Sequence, residues 1–211
     1  MFEIEYKGAN GIIISTKNGT IVIDPKLSLV GLKDSNVKDA IELATEARFA
    51  LNSEAARLCI EGPGEYGIAG YDIRGIAAQR HLDTEKDPLI STIYRIEVGE
   101  VRIAVVGNIY EKLSDEQLED LGLIDILILP VGGNGYTLDA TGAASVVSKV
   151  DPKVVIPVHY ADSAVKYEVP QDALEVFTKE LGAPVEQTEK YKIKQASALP
   201  LVLTVVALER S

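Results

Sequence analysis

The fold is decided by three short apolar runs in one stretch of the chain: Val101–Val106 (VRIAVV), Ile126–Pro130 (ILILP) and Val154–Pro157 (VVIP). Short β-branched runs bounded by glycine and proline are typical of strands that are buried on both faces. The segments between these runs, Ser114–Leu121 and Asp139–Lys149, have helical patterns. Strands that alternate with helices predict neighbouring parallel strands joined by right-handed crossovers.

The residues that follow the three runs predict where a site would lie. Asn108 follows the first run, the glycine-rich segment Gly132–Gly135 follows the second, and His159 follows the third. In a parallel sheet the ligand pocket lies beyond the carboxyl ends of the strands. We therefore expect these residues to lie close together. The glycines either present backbone N–H groups to an anion or form only a tight turn.

Composition limits the class of protein. The chain has 211 residues, 46% of them hydrophobic, which predicts one globular domain over residues 1–211. Its net charge of −11 repels phosphate backbones, so a nucleic-acid partner is not expected. The single cysteine, Cys59, fits a reducing compartment. The longest apolar stretch, Ala198–Leu208, is shorter than the ~20 residues that span a bilayer, so we expect a cytoplasmic protein with no membrane contact.

The number of histidines limits the metal chemistry. The chain has only two, His81 and His159. A dinuclear zinc site of imidazoles and carboxylates usually draws on more than two histidines. We therefore expect no cofactor. Zinc could bind only if both histidines joined a carboxylate such as Asp24, Glu46 or Asp83.

Turn and helix signals predict several further elements. Asn18-Gly19 predicts a β-hairpin with a type I′ turn, and Gly99-Glu100 predicts a second hairpin. Pro170–Leu181 has the pattern of an amphipathic helix. The C-terminal run Leu201–Leu208 is either an internal strand or a strand that pairs across a homo-oligomer.

Six segments, in order along the chain, resemble the metallo-β-lactamase superfamily: Gly19–Pro25, Gly62–Tyr66, Ile103–Asn108, Asp125–Gly133, Tyr136–Ala140 and Val155–Tyr160. The branch they resemble is that of bacterial metal-dependent hydrolases similar to ascorbate-6-phosphate lactonase. The resemblance implies an α+β fold in four αββα layers. Two mixed β-sheets would pack face to face, with helices on both outer faces and a pocket along one edge of the sandwich.

The same resemblance implies that most metal ligands have changed. Family members carry the motif Thr-His-x-His-x-Asp-His, whereas the corresponding segment of this sequence is Thr45–Leu51 (TEARFAL). Glu46 and Arg48 stand in place of the first two histidines, and the aspartate and last histidine are also replaced. An ion pair between Glu46 and Arg48 would fill the metal pocket. Alternatively, both are solvated residues on a helix.

Of the family's other ligand positions, one is replaced in this sequence, one keeps its histidine and one has a histidine nearby. The family's Gly-Asp bridging ligand is Gly107-Asn108 here, and a neutral amide is a poor bridge between two cations. His159 occupies its ligand position unchanged, and His81 lies about one residue from the other family histidine. The candidate pocket residues are therefore Glu46, Arg48, His81, Asn108 and His159.

One segment, Asn36–Leu58, has two interpretations. Residues Asp39–Arg48 have good helix propensity and, taken alone, predict a helix. The resemblance instead implies a strand followed by a loop.

These observations lead to three hypotheses for function. The first is a protein that has lost the zinc-binding motif and serves as a non-hydrolytic binding or scaffold protein for a small molecule or another protein. The second is a metal-dependent hydrolase of a lactone or phosphorylated small molecule, with a reduced metal site at His81 and His159. The third is an oligomeric interaction protein.

Overall fold

The computed structural model describes residues 1–84 and 86–211, and in them fourteen strands form two mixed sheets. The strands are β1 (Phe2–Gly8), β2 (Gly11–Thr16), β3 (Thr20–Ile23), β4 (Ile41–Leu43), β5 (Leu58–Ile60), β6 (Gly64–Ile68), β7 (Tyr71–Ala78), β8 (Ser91–Val98), β9 (Val101–Val105), β10 (Ile126–Pro130), β11 (Val154–Val158), β12 (Val185–Thr188), β13 (Tyr191–Ile193) and β14 (Thr204–Leu208). The α-helices are α1 (Asp115–Leu121), α2 (Ala140–Val150) and α3 (Leu174–Leu181).

The two sheets differ in size and in strand direction. The smaller has the order β13-β1-β2-β3-β4-β5, and the larger has the order β12-β14-β11-β10-β9-β8-β7-β6. β9, β10 and β11 are parallel neighbours, as the three apolar runs predicted. In the smaller sheet β3, β4 and β5 are also parallel. The expected α+β sandwich of two mixed sheets is confirmed.

The main core lies between the sheets because each strand alternates its side chains between two faces. In β1, Phe2, Ile4 and Tyr6 are buried while Glu3 and Glu5 are half-buried on the opposite face. A second core lies between the larger sheet and the helices, where Val146 and Phe177 pack with outward-facing residues of β10 and β11. The parallel strands β9, β10 and β11 are therefore packed on both faces.

Helix boundaries follow the capping signals in the sequence. Ser114 and Gln117 form the expected capping box at the start of α1. The Asp139 side chain accepts a hydrogen bond from the Gly142 N–H and begins α2. The third helix begins at Leu174, later than the Pro170 that the amphipathic pattern indicated.

The resemblance implied α-helices on the outer faces of both sheets, and the smaller sheet differs from that expectation. The α-helical residues in the described ranges pack on the larger sheet. The 3₁₀ turns Leu27–Val30 and Ala47–Phe49 belong to the segments that follow β3 and β4. A Cβ added at Gly11 would lie 2.8 Å from Leu27 Cδ2, so the first of these turns packs directly on β2. Leu27, which is buried, therefore covers part of this outer face beside Gly11.

The segment Asn36–Leu58 is a strand followed by a loop. Ile41–Leu43 pairs in parallel with both β3 and β5, and Ile41 and Leu43 are buried in the core. The helix predicted from propensity is therefore wrong. Pairing on both sides and burial in the core outweigh the few tenths of a kcal/mol per residue that propensity supplies.

Two smaller expectations are also decided. The type I′ turn at Asn18-Gly19 is wrong because neither residue has a positive φ. Four residues, Thr16–Gly19, close that hairpin instead, and the Thr16 N–H donates to the Gly19 carbonyl at 2.9 Å. β14 lies between β11 and β12, so the C-terminal run is an internal strand.

None of the described helices is long and apolar enough to cross a membrane.

Candidate functional site

The loops that follow the parallel strands of both sheets meet along one edge of the sandwich. Asp24 follows β3, Glu46 follows β4, Asn108 follows β9 and His159 follows β11. The Asn10 amide donates to Asn108 Oδ1 at 3.1 Å, and the His159 N–H donates to the Ala9 carbonyl at 2.8 Å. These contacts connect the two sheets across the edge, as the strand order predicted.

Asp24 ties together the ends of β3 and β4. Its carboxylate accepts the Thr45 N–H and the Thr45 hydroxyl, both at 2.7 Å. Burial raises the pKa of Asp24 to about 7, although the Thr45 hydrogen bonds lower it. Asp24 has φ 48°, a left-handed conformation that is uncommon outside glycine. The sequence indicated Asp24 as one of three carboxylates that could join the histidines around zinc, whereas in the structure its hydrogen bonds connect the ends of β3 and β4.

Glu46 is the acidic centre of an ion-pair cluster. Its carboxylate is buried, with Oε2 3.0 Å from Arg48 Nε and 3.7 Å from Arg80 Nη1. The Arg48 Nε–H itself makes no hydrogen bond, and the hydrogen bond of this pair runs from Arg48 Nη2 to Glu46 Oε1 at 3.5 Å. Burial raises the pKa of Glu46, and the two guanidinium groups oppose that shift. Arg80 also donates two hydrogen bonds to the Asp83 carboxylate, from Nε to Oδ2 at 2.8 Å and from Nη2 to Oδ1 at 2.6 Å.

The Arg48 side chain reaches from this cluster to aromatic rings. Its Nη2 donates to the Tyr136 hydroxyl at 2.7 Å. Its guanidinium carbon lies 4.6 Å from the centre of the Phe49 ring and 5.4 Å from that of Tyr136, within cation–π range. Arg48 is therefore held in one orientation by Glu46 and two rings, while about a third of its side chain remains exposed.

His159 is buried on the opposite side of the same space. Its ring stacks on Tyr136 at 5.4 Å and lies 4.7 Å from the Tyr167 ring. Its Nδ1 is 3.1 Å from Gln171 Oε1. Burial lowers the pKa of His159 to about 4, so the ring is neutral at physiological pH.

A cavity of about 200 Å³ opens between Arg48 and His159. Its walls include the aromatic rings of Phe49, Tyr136 and Tyr167, and exposed Glu168 also lines it. This volume is smaller than the 300–1,000 Å³ of pockets that hold drug-sized molecules. The cavity therefore suits a small ligand.

Four of the five predicted pocket residues converge here: Glu46, Arg48, Asn108 and His159. His81 is joined to the site through its backbone, whose N–H donates to the Asn108 carbonyl at 2.9 Å. The Gly132–Gly135 segment forms a tight turn, with its Gly133 carbonyl accepting the N–H of Tyr136 at 3.3 Å. Gly132 lies so close to His159 that an added Cβ would be 2.2 Å from the His159 carbonyl oxygen.

Sequence reasoning did not select several residues of the site: Arg80, Tyr136, Tyr167 and Gln171. Tyr136 follows the glycine-rich turn after β10, so the rule on strand ends could have indicated it. Arg80 and Gln171 lie in loops without a recognisable motif, and only the fold brings them to the pocket.

Comparisons with known proteins agree with this architecture. Residues 3–159 match the family described as the β-lactamase superfamily domain. The protein belongs to the metallo-β-lactamase superfamily. A metal-dependent hydrolase of Aeropyrum pernix is 22% identical over 82% of this chain and 88% of its own length. A metal-dependent hydrolase of Thermococcus onnurineus is 37% identical over 59% of this chain and 62% of its own.

Solved structures of metal-dependent hydrolases share the fold. A putative zinc-dependent hydrolase of the metallo-β-lactamase superfamily from Thermotoga maritima superposes with a TM-score of 0.74, at 22% identity, over 99% of both chains. A metallo hydrolase from Ignicoccus hospitalis has a TM-score of 0.66 at 17% identity, over 92% of this chain and 99% of its own.

The superfamily implies a metal, and the donor atoms of this site do not fit a dinuclear one. Glu46 faces two guanidinium groups, which a divalent cation would have to displace. Both oxygens of Asp24 accept hydrogen bonds from Thr45, and Asn108 Oδ1 accepts one from Asn10. Across residues 1–84 and 86–211, no three His, Cys, Asp or Glu side chains are grouped to hold a metal.

Proposed function

We propose that this member of the metallo-β-lactamase superfamily is a non-hydrolytic protein that binds a small molecule in the cavity between Arg48 and His159. The observation that carries the proposal is the contact between Glu46 and Arg48, at 3.0 Å, at positions where the resemblance expects ligand histidines. A fixed guanidinium there repels a divalent cation and offers hydrogen-bond donors to an anion.

The chemistry of hydrolysis also favours this proposal. A zinc hydrolase needs about three protein ligands and an open position for water, whose pKa the metal lowers toward neutrality. His159 offers one neutral nitrogen to the cavity, and Glu46 is already paired with two arginines. The remaining groups are those of a binding site: a cation, a neutral imidazole and aromatic walls.

A second candidate function is a metal-dependent hydrolase of a lactone or phosphorylated small molecule. The names of the relatives from Aeropyrum pernix and Thermococcus onnurineus favour it. In that case His159, with His81 if its loop rearranges, would supply the nitrogen ligands, and the Glu46 carboxylate would have to leave its arginines.

Metal content tests the two candidates directly. The protein would be purified without chelators and its zinc, manganese and iron measured by elemental analysis. The binding proposal expects far less than one metal per chain and an unchanged melting temperature when each metal is added. A near-stoichiometric metal that is lost in the His159→Ala variant would overturn it and favour the hydrolase. His81→Ala distinguishes a two-histidine site from one that uses His159 alone.

A further inference from the structure

The hydrogen bonds around Gln171 determine which nitrogen of His159 carries its proton. Gln171 Nε2 donates to the carbonyls of Val169 and Pro170, at 3.0 and 3.3 Å, which orients the amide. Gln171 Oε1 therefore faces His159 Nδ1 and accepts its proton at 3.1 Å. In a neutral ring, Nε2 must then carry a lone pair.

His159 lines the cavity, and Nε2 is the ring nitrogen that Gln171 does not occupy. The residue is only 3% exposed, and among the described residues Nε2 has no hydrogen-bond partner. Nε2 is nevertheless not sealed from solvent, and His159 lines the cavity. A buried side chain thus presents an unused hydrogen-bond acceptor to the space where a ligand would lie. A ligand that excludes solvent from this acceptor without donating to it would leave it unpaired, which is costly, so the ligand should supply a donor.

The opposite wall supplies donors. Arg48 Nη2 donates to the Tyr136 hydroxyl and to Glu46 Oε1, whereas Nη1 has no hydrogen-bond partner among the described residues and remains accessible. The Tyr136 oxygen accepts from Arg48, so its own O–H is free to donate. Two donors next to a positive charge match the two oxygens of a carboxylate.

The shape of the cavity restricts the ligand further. Phe49, Tyr136 and Tyr167 present rings around a volume of about 200 Å³. Flat walls of this kind favour a planar ligand through stacking. Exposed Glu168 lines the cavity as well, where a carboxylate repels a second negative charge and accepts a hydrogen bond from a donor. The ligand should therefore carry a single acidic group.

From these contacts we infer that the cavity binds a small planar monocarboxylic acid with an N–H or O–H group beside its carboxylate. The carboxylate meets Arg48 Nη1 and the Tyr136 hydroxyl, and the donor meets His159 Nε2. The inference rests on the proposed binding function and specifies its ligand.

A matched pair of single-ring acids tests the inference. Pyrrole-2-carboxylate has an N–H beside its carboxylate, whereas furan-2-carboxylate has nearly the same shape but an oxygen lone pair at that position. Binding of each acid to the full chain would be measured by isothermal titration calorimetry. We expect pyrrole-2-carboxylate to bind roughly tenfold or more tightly, since the furan oxygen leaves His159 Nε2 facing another acceptor. Pyrrole-2-carboxamide, which lacks the charge, should bind more weakly than the acid.

Variants assign the preference to particular atoms. His159→Phe should abolish the difference between the two acids, while His81→Phe, the same change at the other histidine, should leave it intact. Arg48→Met should weaken both acids about equally. If His159→Phe does not fold, as judged by circular dichroism, Gln171→Met removes the partner that fixes the tautomer and should reduce the preference several-fold.

Three results would overturn the inference: equal affinities for the two acids, a preference for the furan, or no binding of either at about 10 mM. The metal analysis of the proposed function uses neither acid. Metal-free protein without the preference therefore contradicts only the ligand class, whereas near-stoichiometric metal contradicts the proposed function itself.

Discussion

The Arg48 guanidinium lies against the buried Glu46 carboxylate, with Nε 3.0 Å from Oε2. The two residues are separated by a single position, Ala47, in the loop after β4, and that loop forms a 3₁₀ turn. The turn directs both side chains into the edge of the sandwich, where Arg80 approaches the same carboxylate at 3.7 Å. Two arginines thus neutralise a carboxylate that would otherwise be buried without a counter-charge.

A double-mutant cycle measures this relationship. Arg48→Met should lower the free energy of unfolding by about 1–2 kcal/mol because Glu46 then keeps only the more distant Arg80. Adding Glu46→Gln should recover part of that loss, so the two changes should be non-additive in urea unfolding. The pair Asp39 and Arg57, which is exposed to solvent, serves as control, and its cycle should show a smaller coupling. Additive effects at Glu46 and Arg48 would contradict the ion-pair assignment.

Asp24 should make stability depend on pH. Its pKa is about 7 in the folded protein against 3.8 for an ordinary aspartate, so the folded state binds more protons between pH 4 and 7. The stability contributed by the protonated carboxyl is complete below pH 4 and is lost as pH rises through 7. Asp24→Asn has no carboxyl group to titrate at this position, so this loss of stability with rising pH should be absent.

The measurement is the difference in unfolding free energy between Asp24→Asn and the wild type across that range. It should increase with pH from about 4 to 7, by on the order of a few kcal/mol. His159, with a lowered pKa of about 4, acts in the opposite direction and stabilises the fold increasingly from pH 4 to 6.5. In the wild type the two effects oppose each other, whereas in Asp24→Asn only the His159 effect remains. The free energy of unfolding of the variant should therefore rise from pH 4 to 6.5. A difference that stays constant with pH would disprove the assignment of Asp24.

Burial keeps the His159 ring neutral and Gln171 contacts its Nδ1, so a carboxylate at position 171 should change the titration of the ring. Gln171→Glu places a negative charge near Nδ1 and should raise the pKa of His159 by about 1–3 units. The chain has only two histidines, so NMR titration of the ring protons resolves both, and His81→Phe assigns them. Gln187→Glu, the same change on the exposed strand β12, should leave the His159 titration unaltered. An unchanged pKa in Gln171→Glu would show that the two side chains do not interact.

Gly132 allows the turn after β10 to approach His159. A Cβ there would lie 2.2 Å from both the His159 carbonyl oxygen and Gln171 Oε1. Gly132→Ala should therefore lower the unfolding free energy by about 1–3 kcal/mol and weaken binding in the cavity. At Gly62 an added Cβ meets nothing within 4 Å, so Gly62→Ala is the matched control and should change stability little. Thermal unfolding of the two variants makes the comparison, and equal melting temperatures would count against a close approach at Gly132.

Much of the architecture could be predicted from local patterns. The runs at Val101, Ile126 and Val154 became adjacent parallel strands, and the caps at Ser114 and Asp139 began helices where expected. These features depend on side-chain periodicity and on hydrogen bonds between near neighbours, which a sequence displays directly. The rule that ligands bind beyond strand ends also placed Asn108 and His159 in one region.

The site itself was predicted only in part because its contacts join distant parts of the chain. Arg48 and Tyr136 are 88 positions apart, and Asn10 and Asn108 are 98 apart. No local pattern selects Arg80 as the second partner of Glu46, or Gln171 as the partner of His159. The sequence pattern could not identify the tautomer of His159 either. The tautomer depends on the orientation of the Gln171 amide, which two carbonyl groups in a loop fix.

By itself, the sequence determined the class of fold, the order of the parallel strands and the small number of histidines available for metal chemistry, since these follow from periodicity and composition. Only the tertiary structure decided that residues 41–43 form a strand, that Arg48 lies against Glu46 and Tyr136, and that His159 offers a lone pair to a cavity. The physical reason is that strand pairing, burial and side-chain hydrogen bonds between distant residues outweigh local preference once the two sheets have packed together.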